Sequence, residues 1–271
     1  MKPCAFDYVR PADLASALDT LSAGADVRPM AGGQSLVPVL SMRLARPARV
    51  MDISRLRELQ ASVRQGDVLE LGAAVTHARI EDGIAASFAQ GYLTHVAGGI
   101  AYRAVRNRGT VGGSLAHADP IADWPVALLA AGASVVAASA AGRRELPLED
   151  FADGPFSHTL RDDELLASVH LPWRSEATRW AYAKLARKAG EFAQAIAAIV
   201  IDRPASYARV AVAGAGGTPM LLPALAERLL RGELRSFDLS QAGQALRDGG
   251  AQAGDLHAAA VALRRAVQEL S

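Results

Sequence analysis

Two glycine pairs, Gly32-Gly33 and Gly112-Gly113, are the features of this chain best suited to holding a charged ligand. The first lies in Ala31-Gly32-Gly33-Gln34-Ser35, followed by Leu36, and the second in Thr110-Val111-Gly112-Gly113-Ser114. Adjacent glycines carry no Cβ, so consecutive backbone N–H groups can converge on one point. Converging amides form a nest for an anion, and a helix starting just beyond adds the positive end of its dipole. Two such turns, each ending in a serine, suit the two phosphates of one dinucleotide gripped from opposite sides.

Other candidates each carry a plainer reading. Arg209 to Pro219 runs strand, glycine loop, helix, in the order of a dinucleotide fingerprint. The third glycine of G-x-G-x-x-G is missing, however, because Pro219 stands in its place, and too little chain follows for that fold. A turn accounts for it better. His117, Asp119 and Asp123 suggest either a divalent metal set or a loop in which His117 and Asp123 hydrogen-bond a polar ligand. Pro120 breaks the local geometry that a metal set would need. Arg103, Arg106 and Arg108 form a solvated basic face by default, or a surface favouring a phosphate or an acidic partner. Lys184 alternates with Tyr182 in an apolar strand, where burial of an unpaired ammonium is expensive. It either points outward from an edge strand or places its tip at the rim of a cofactor. The run 33–37 lacks the last glycine of G-x-S-x-G, so hydrolase chemistry has no nucleophile here.

The elements that position these residues follow from periodicity. Residues 11–21 read as a short helix, 27–31 as a strand entering the first glycine turn, 36–44 as a helix and 50–53 as a strand, a small β-α-β unit with the turn at a strand end. A hairpin spans 61–73 around Gln65-Gly66-Asp67. Thr76 caps a helix reaching about residue 88. The second glycine turn follows, then a helix over 121–131 and strands over 134–138, 143–146 and 165–171. A domain boundary falls at 173–178. Beyond it, strands at 179–185, 194–201 and 207–213 predict an antiparallel sheet, and 221–230, 239–246 and 255–270 predict helices, the last behind an Asp255 cap.

Composition bounds the function. The 271 residues are 51% hydrophobic, enough for a substantial core and two domains. A net charge of +1 argues against a dedicated nucleic-acid or membrane-surface binder. Cys4 is the one cysteine, which excludes an internal disulfide and a cysteine-ligated iron–sulfur or zinc site within this chain. The N-terminus lacks the apolar core of a secretion signal. Residues 124–142 carry no charge, but their Ala, Ser and Gly content and the central Gly132 predict a helix followed by a strand rather than a membrane span. The chain thus reads as a cytoplasmic, soluble protein.

The stretches AGGQSLVPVLSMRLARPARVMDI at 31–53 and RNRGTVGGSLAHADPIADWPVALLAAGA at 106–133 resemble the FAD-binding medium subunit of molybdenum hydroxylases. That family includes the medium subunit of carbon monoxide dehydrogenase and the flavin domain of xanthine dehydrogenase. DELLASVHLP at 163–172 and the opening MKPCAFDYVRPADLASAL fit as well, and the resemblance thins after about residue 220. It implies an α+β protein with a two-subdomain FAD-binding fold of the vanillyl-alcohol-oxidase/PCMH type over 1–175 (subdomains 1–57 and 58–175). A C-terminal domain over 176–271 would carry a three-stranded antiparallel sheet and a helical bundle. It also implies FAD held by Ala31, Gly32, Gly33, Gln34, Ser35 and Leu36 in one loop and by Thr110, Val111, Gly112, Gly113 and Ser114 in the other. His117 would contact the phosphates, Asp123 would be an acidic ligand, Leu166 an apolar contact and Lys184 a lysine at the flavin. The implied partners are a molybdenum-cofactor large subunit and a [2Fe–2S] small subunit, assembled as a dimer of heterotrimers. The chain departs from the family at 255–270, a shortened, alanine-substituted helix without the usual Tyr-Arg pair. No acid–base pair stands out as catalytic, which fits a flavin that does the redox chemistry itself. The alternatives are a self-contained FAD oxidoreductase with its own small organic substrate and a nucleotide-binding structural subunit.

Overall fold

The computed structural model describes residues 2–24, 26–234, 236–252 and 256–270. At the N-terminus, β1 (Asp7–Val9), α1 (Leu14–Ser22), β2 (Val27–Met30), α2 (Leu36–Ser41) and β3 (Arg49–Asp52) form a small unit whose three strands pair in parallel, in the order β1-β3-β2. Asp13 starts α1 by accepting from the Ser16 amide, while its own amide donates to the Ser16 hydroxyl. The helix buries Leu14, Ala17, Leu18 and Leu21, the face that its spacing predicts. The strand β1 has no signal in the sequence, because three residues are too few to alternate.

The next unit is a five-stranded antiparallel sheet ordered β4-β5-β8-β6-β7, with β4 (Ser62–Gln65), β5 (Val68–Gly72), β6 (Ser134–Ser139), β7 (Gly142–Pro147) and β8 (Leu165–Pro172). Between β5 and β6 run α3 (His77–Glu81), α4 (Tyr92–Gly98), α5 (Arg103–Arg106), α6 (Val111–His117) and α7 (Asp123–Ala131). Thr76 caps α3 by accepting from the Arg79 amide. The helix does not reach residue 88, however: Gly83 takes φ +99°, a left-handed conformation that stops it after one turn. Every residue of α7 is buried, and the left-handed Gly132, at φ +74°, ends it before β6 begins. The uncharged stretch from Trp124 is therefore an interior helix and a core strand. Among the described residues, no helix is long and apolar enough to cross a membrane.

The C-terminal sheet is ordered β12-β11-β10-β9, with β9 (Arg179–Leu185), β10 (Ala195–Asp202), β11 (Tyr207–Ala213) and β12 (Met220–Leu221). It has four strands, not three; the two-residue β12 was invisible to periodicity. The glycine cluster at 214–217 is the turn between β11 and β12. Gly214, Gly216 and Gly217 all have positive φ, and a Cβ on Gly214 would lie 2.4 Å from the Gln194 carbonyl oxygen. One face of this sheet presents Tyr182, Ile196, Ala198, Val200 and Ala211 to α7. The other presents Ala197, Ile199, Val210 and Val212 to the helices α8 (Pro223–Leu230), α9 (Leu239–Asp248) and α10 (His257–Leu270). That is why β10 reads AIAAIVID with all eight residues buried. Asp255, the expected cap of α10, lies outside the described residues.

Candidate functional site

The two glycine loops touch. A Cβ on Gly32 would lie 2.0 Å from the Arg108 carbonyl oxygen and 2.8 Å from the Gly109 Cα, so backbone packs directly on backbone. A Cβ on Gly113 would come 3.7 Å from that of Ala31. In the first loop Gly33 has φ +73°. Among the described residues, the amides of Gly32, Gly33, Gln34 and Ser35 donate to no protein acceptor. Four successive free N–H groups at the end of β2, before α2 begins, form a ready nest for phosphate oxygens. Gln34 is exposed, and its side-chain amide returns to the Gly32 carbonyl at 3.4 Å. Leu36 and Ser35 are half-buried, and Ser35 makes no capping bond.

The second loop is not a nest. Thr110 is the N-cap of α6, and Gly112 and Gly113 sit in its first turn. Each of the four following amides has an acceptor. Val111 donates to the Val75 carbonyl (3.1 Å), Gly112 to that of Ala73 (2.9 Å), Gly113 to the Thr110 hydroxyl (3.0 Å) and Ser114 to the Thr110 carbonyl (3.0 Å). Gly112 is glycine for lack of room, since a Cβ there would lie 2.4 Å from the Ala73 Cβ. The sequence reading of two equivalent nests is thus corrected. One loop offers free amides, and the other is stitched to residues 73–77 and forms the wall against which the first is set.

Two supports behind this wall escaped the sequence reading. His77 is buried, and its ring edge lies where a Cβ on Gly109 would be, 2.7 Å from Nε2. The Trp124 indole N–H donates to His77 Nδ1 at 2.9 Å, so the neutral ring carries its proton on Nε2. Burial, with the Arg106 charge adding to it, pushes the His77 pKa down to about 4. Nothing in the local sequence marks this pair, because its partners are far apart in the chain. Arg106 is no part of a solvated face: its guanidinium holds both oxygens of Glu81 at 2.8 Å and donates to the carbonyls of Ile100 (3.0 Å) and Ala101 (2.9 Å). Arg103 pairs with Glu81 and Asp82, while Arg108 makes no such clamp among the described residues and lends its carbonyl to the contact with Gly32.

Asp123, at the first position of α7, turns inward. Its Oδ1 accepts from the Tyr182 hydroxyl at 2.6 Å, and the Lys184 ammonium lies 2.9 Å from both of its oxygens. Lys184 also donates to the Gly99 carbonyl at 3.1 Å. Although β9 is an edge strand, Lys184 faces α7 with its side chain only 14% exposed, so the outward reading is overturned. Asp119 accepts from the Ile121 amide at 3.0 Å. It does not converge with His117 and Asp123, and among the described residues no group of three or more His, Cys, Asp or Glu could hold a metal ion. His117, half-buried at the end of α6, meets Phe156 edge-on with centroids 5.3 Å apart. Leu166 lies in β8, buried in the core opposite Ala137, where the ladder with β6 shifts register.

A row of free amides, and a neighbouring backbone too close for any side chain between the loops, fit a pyrophosphate-bearing cofactor. Comparison with known proteins agrees. Residues 4–174 match the FAD binding domain in molybdopterin dehydrogenase. The caffeine dehydrogenase subunit beta of Pseudomonas sp. (strain CBB1) is 39% identical over 235 residues, covering 85% of this chain and 80% of that protein. The nicotine 6-hydroxylase medium subunit of Paenarthrobacter nicotinovorans is 36% identical over 277 residues, covering 100% of this chain and 96% of that protein. Among solved structures, carbon monoxide dehydrogenase from Hydrogenophaga pseudoflava superposes with a TM-score of 0.88 at 30% identity, covering 99% of this chain and 98% of the other. The nest, the wall behind it and these likenesses make one family assignment: the chain belongs to the FAD-binding family of the molybdopterin dehydrogenases, and its cofactor is FAD.

Proposed function

We propose that this chain is the flavin station of a multi-subunit molybdenum hydroxylase, receiving electrons from iron–sulfur clusters of a partner subunit and passing them to an external acceptor. The observation that carries the proposal is the first glycine loop, four free amides set by close backbone contact against the second loop. FAD supplies the redox chemistry when bound; the protein supplies binding, orientation and electrostatics. Ala31 to Leu36 hold the pyrophosphate through the free amides, while Thr110 to Ser114 form the wall against which that loop is set and offer the hydroxyl of Ser114. His117 lies at the phosphate side, and Asp123, Leu166 and Lys184 border the flavin. Cys4, half-buried, is the one cysteine and cannot ligate a cluster. The clusters therefore belong to a [2Fe–2S] small subunit, and the substrate to a molybdenum-cofactor large subunit, in a dimer of heterotrimers placed in the cytoplasm. Over residues 1–175 the chain works as the FAD-binding domain, with 176–271 as its C-terminal companion.

The test is a visible spectrum of the purified chain, followed by mixing with candidate donors. A yellow chromophore that is reduced by a reduced [2Fe–2S] protein, and not by small organic substrates, is the expected result. A colourless chain that takes up no added FAD sinks the reading. Rapid reduction by a small substrate without partner chains would favour a self-contained oxidoreductase.

A further inference from the structure

We propose that Tyr182 is a positioning residue for the flavin's redox chemistry: its hydroxyl holds the Asp123 carboxylate in one orientation, so that Asp123 and Lys184 present a fixed field to the cofactor. This rests on the reading that Asp123 and Lys184 border the flavin. Tyr182 and Lys184 are two residues apart on β9, so they leave the strand on the same face and reach the start of α7 together. The phenol is buried, with its ring near the imidazole of His95 (6.1 Å). Burial first, and then the neighbouring Asp123 charge, push its pKa well above the ordinary range, so the hydroxyl keeps its proton and acts as the donor. The ammonium of Lys184 is shared between Asp123 and the Gly99 carbonyl. Without the Tyr182 O–H, the carboxylate would be restrained from one side only and its charge less compensated. In a low-dielectric setting a less compensated anion acts strongly on a nearby redox group and opposes the arrival of electrons.

The test uses the full chain loaded with FAD. Tyr182→Phe keeps the ring and removes the donor. The expected result is retention of FAD with a tenfold shift of the two-electron equilibrium toward the oxidised form, about 30 mV more negative. Asp123→Asn shifts the potential in the positive direction, and Tyr182→Phe placed on that background adds nothing, because its effect passes through Asp123. A Tyr182→Phe protein that melts at a lower temperature but keeps the native potential, while Asp123→Asn moves it, overturns the inference and leaves the functional reading standing. Additive shifts in the double variant overturn it as well. An Asp123→Asn protein with native potential and native FAD affinity removes the flavin-bordering reading, and the inference with it.

Discussion

Gly32 and Gly33 are glycines for different reasons, and their substitutions should behave differently. At Gly32 the obstacle is another backbone, the Arg108 carbonyl 2.0 Å from where a Cβ would sit. Gly32→Ala must push the loops apart, so we expect it to lose FAD during purification, read as flavin absorbance per protein. At Gly33 the constraint is φ +73°, a conformation that asparagine also tolerates. Gly33→Asn should therefore keep most of its flavin, and full occupancy in Gly32→Ala would show that the loop contact is dispensable. His77 predicts an acid limb of stability. Its native pKa of about 4 lies below the ordinary value near 6.5, so the unfolded chain binds the extra proton between them. Stability fully present above about pH 6.5 is lost as the pH falls toward 4, by ~3 kcal/mol. Urea melts at pH 7 and pH 4.5 should show this loss, and His77→Gln should flatten it. The glycine pairs were legible in the sequence because glycine has few other uses in such settings. His77 was not, because its role depends on Trp124 and Gly109, which meet it only after folding.

Among the elements, α6 shows how a motif can be seen and yet misread. The sequence offers Gly112-Gly113 as a turn, but Thr110 caps a helix there and every following amide finds an acceptor. A doublet that frees amides and one that merely makes room look alike until the facing residue is known. Here that residue is Ala73, across a contact no local pattern encodes. Gly112→Ala should destabilise the protein by about 1–3 kcal/mol through overpacking, measured by thermal melting. Combining it with Ala73→Gly should recover part of the loss, since the nearest clash is with the Ala73 Cβ at 2.4 Å. The hairpin β4–β5 was readable because its turn residues sit between alternating strands. Apolar residues continue past Gly83, so periodicity alone carries the helix from Thr76 too far, and the left-handed φ of Gly83 marks the break.

For the whole molecule, the sheets change near residue 175 but the core does not. α7 packs on β10 and β11 while its flanks share a cluster with Leu71, Val135 and Val169 of the five-stranded sheet. The chain 1–175 alone would leave this helix bare on the side that Ile196, Ala198, Val200 and Ala211 cover. We expect that fragment to aggregate or to unfold without a cooperative transition, and the full chain to melt as one unit; a soluble, cooperatively melting fragment would show that each part folds alone. The sequence marks where one sheet yields to the next, through the polar stretch at 173–178. It does not show that a helix encoded before the boundary is the filling of a sandwich built after it.

That same helix has a consequence for how the protein is made. Its N-terminal Asp123 is completed by Tyr182 and Lys184, and its body is covered only once residues 195–213 have left the ribosome. Both glycine loops are synthesised long before then, yet the covering of α7 stays unfinished until most of the chain exists. With Asp123 and Lys184 bordering the flavin as proposed, stalled nascent chains ending before β9 should capture no FAD, while those long enough for β11 to clear the ribosome should.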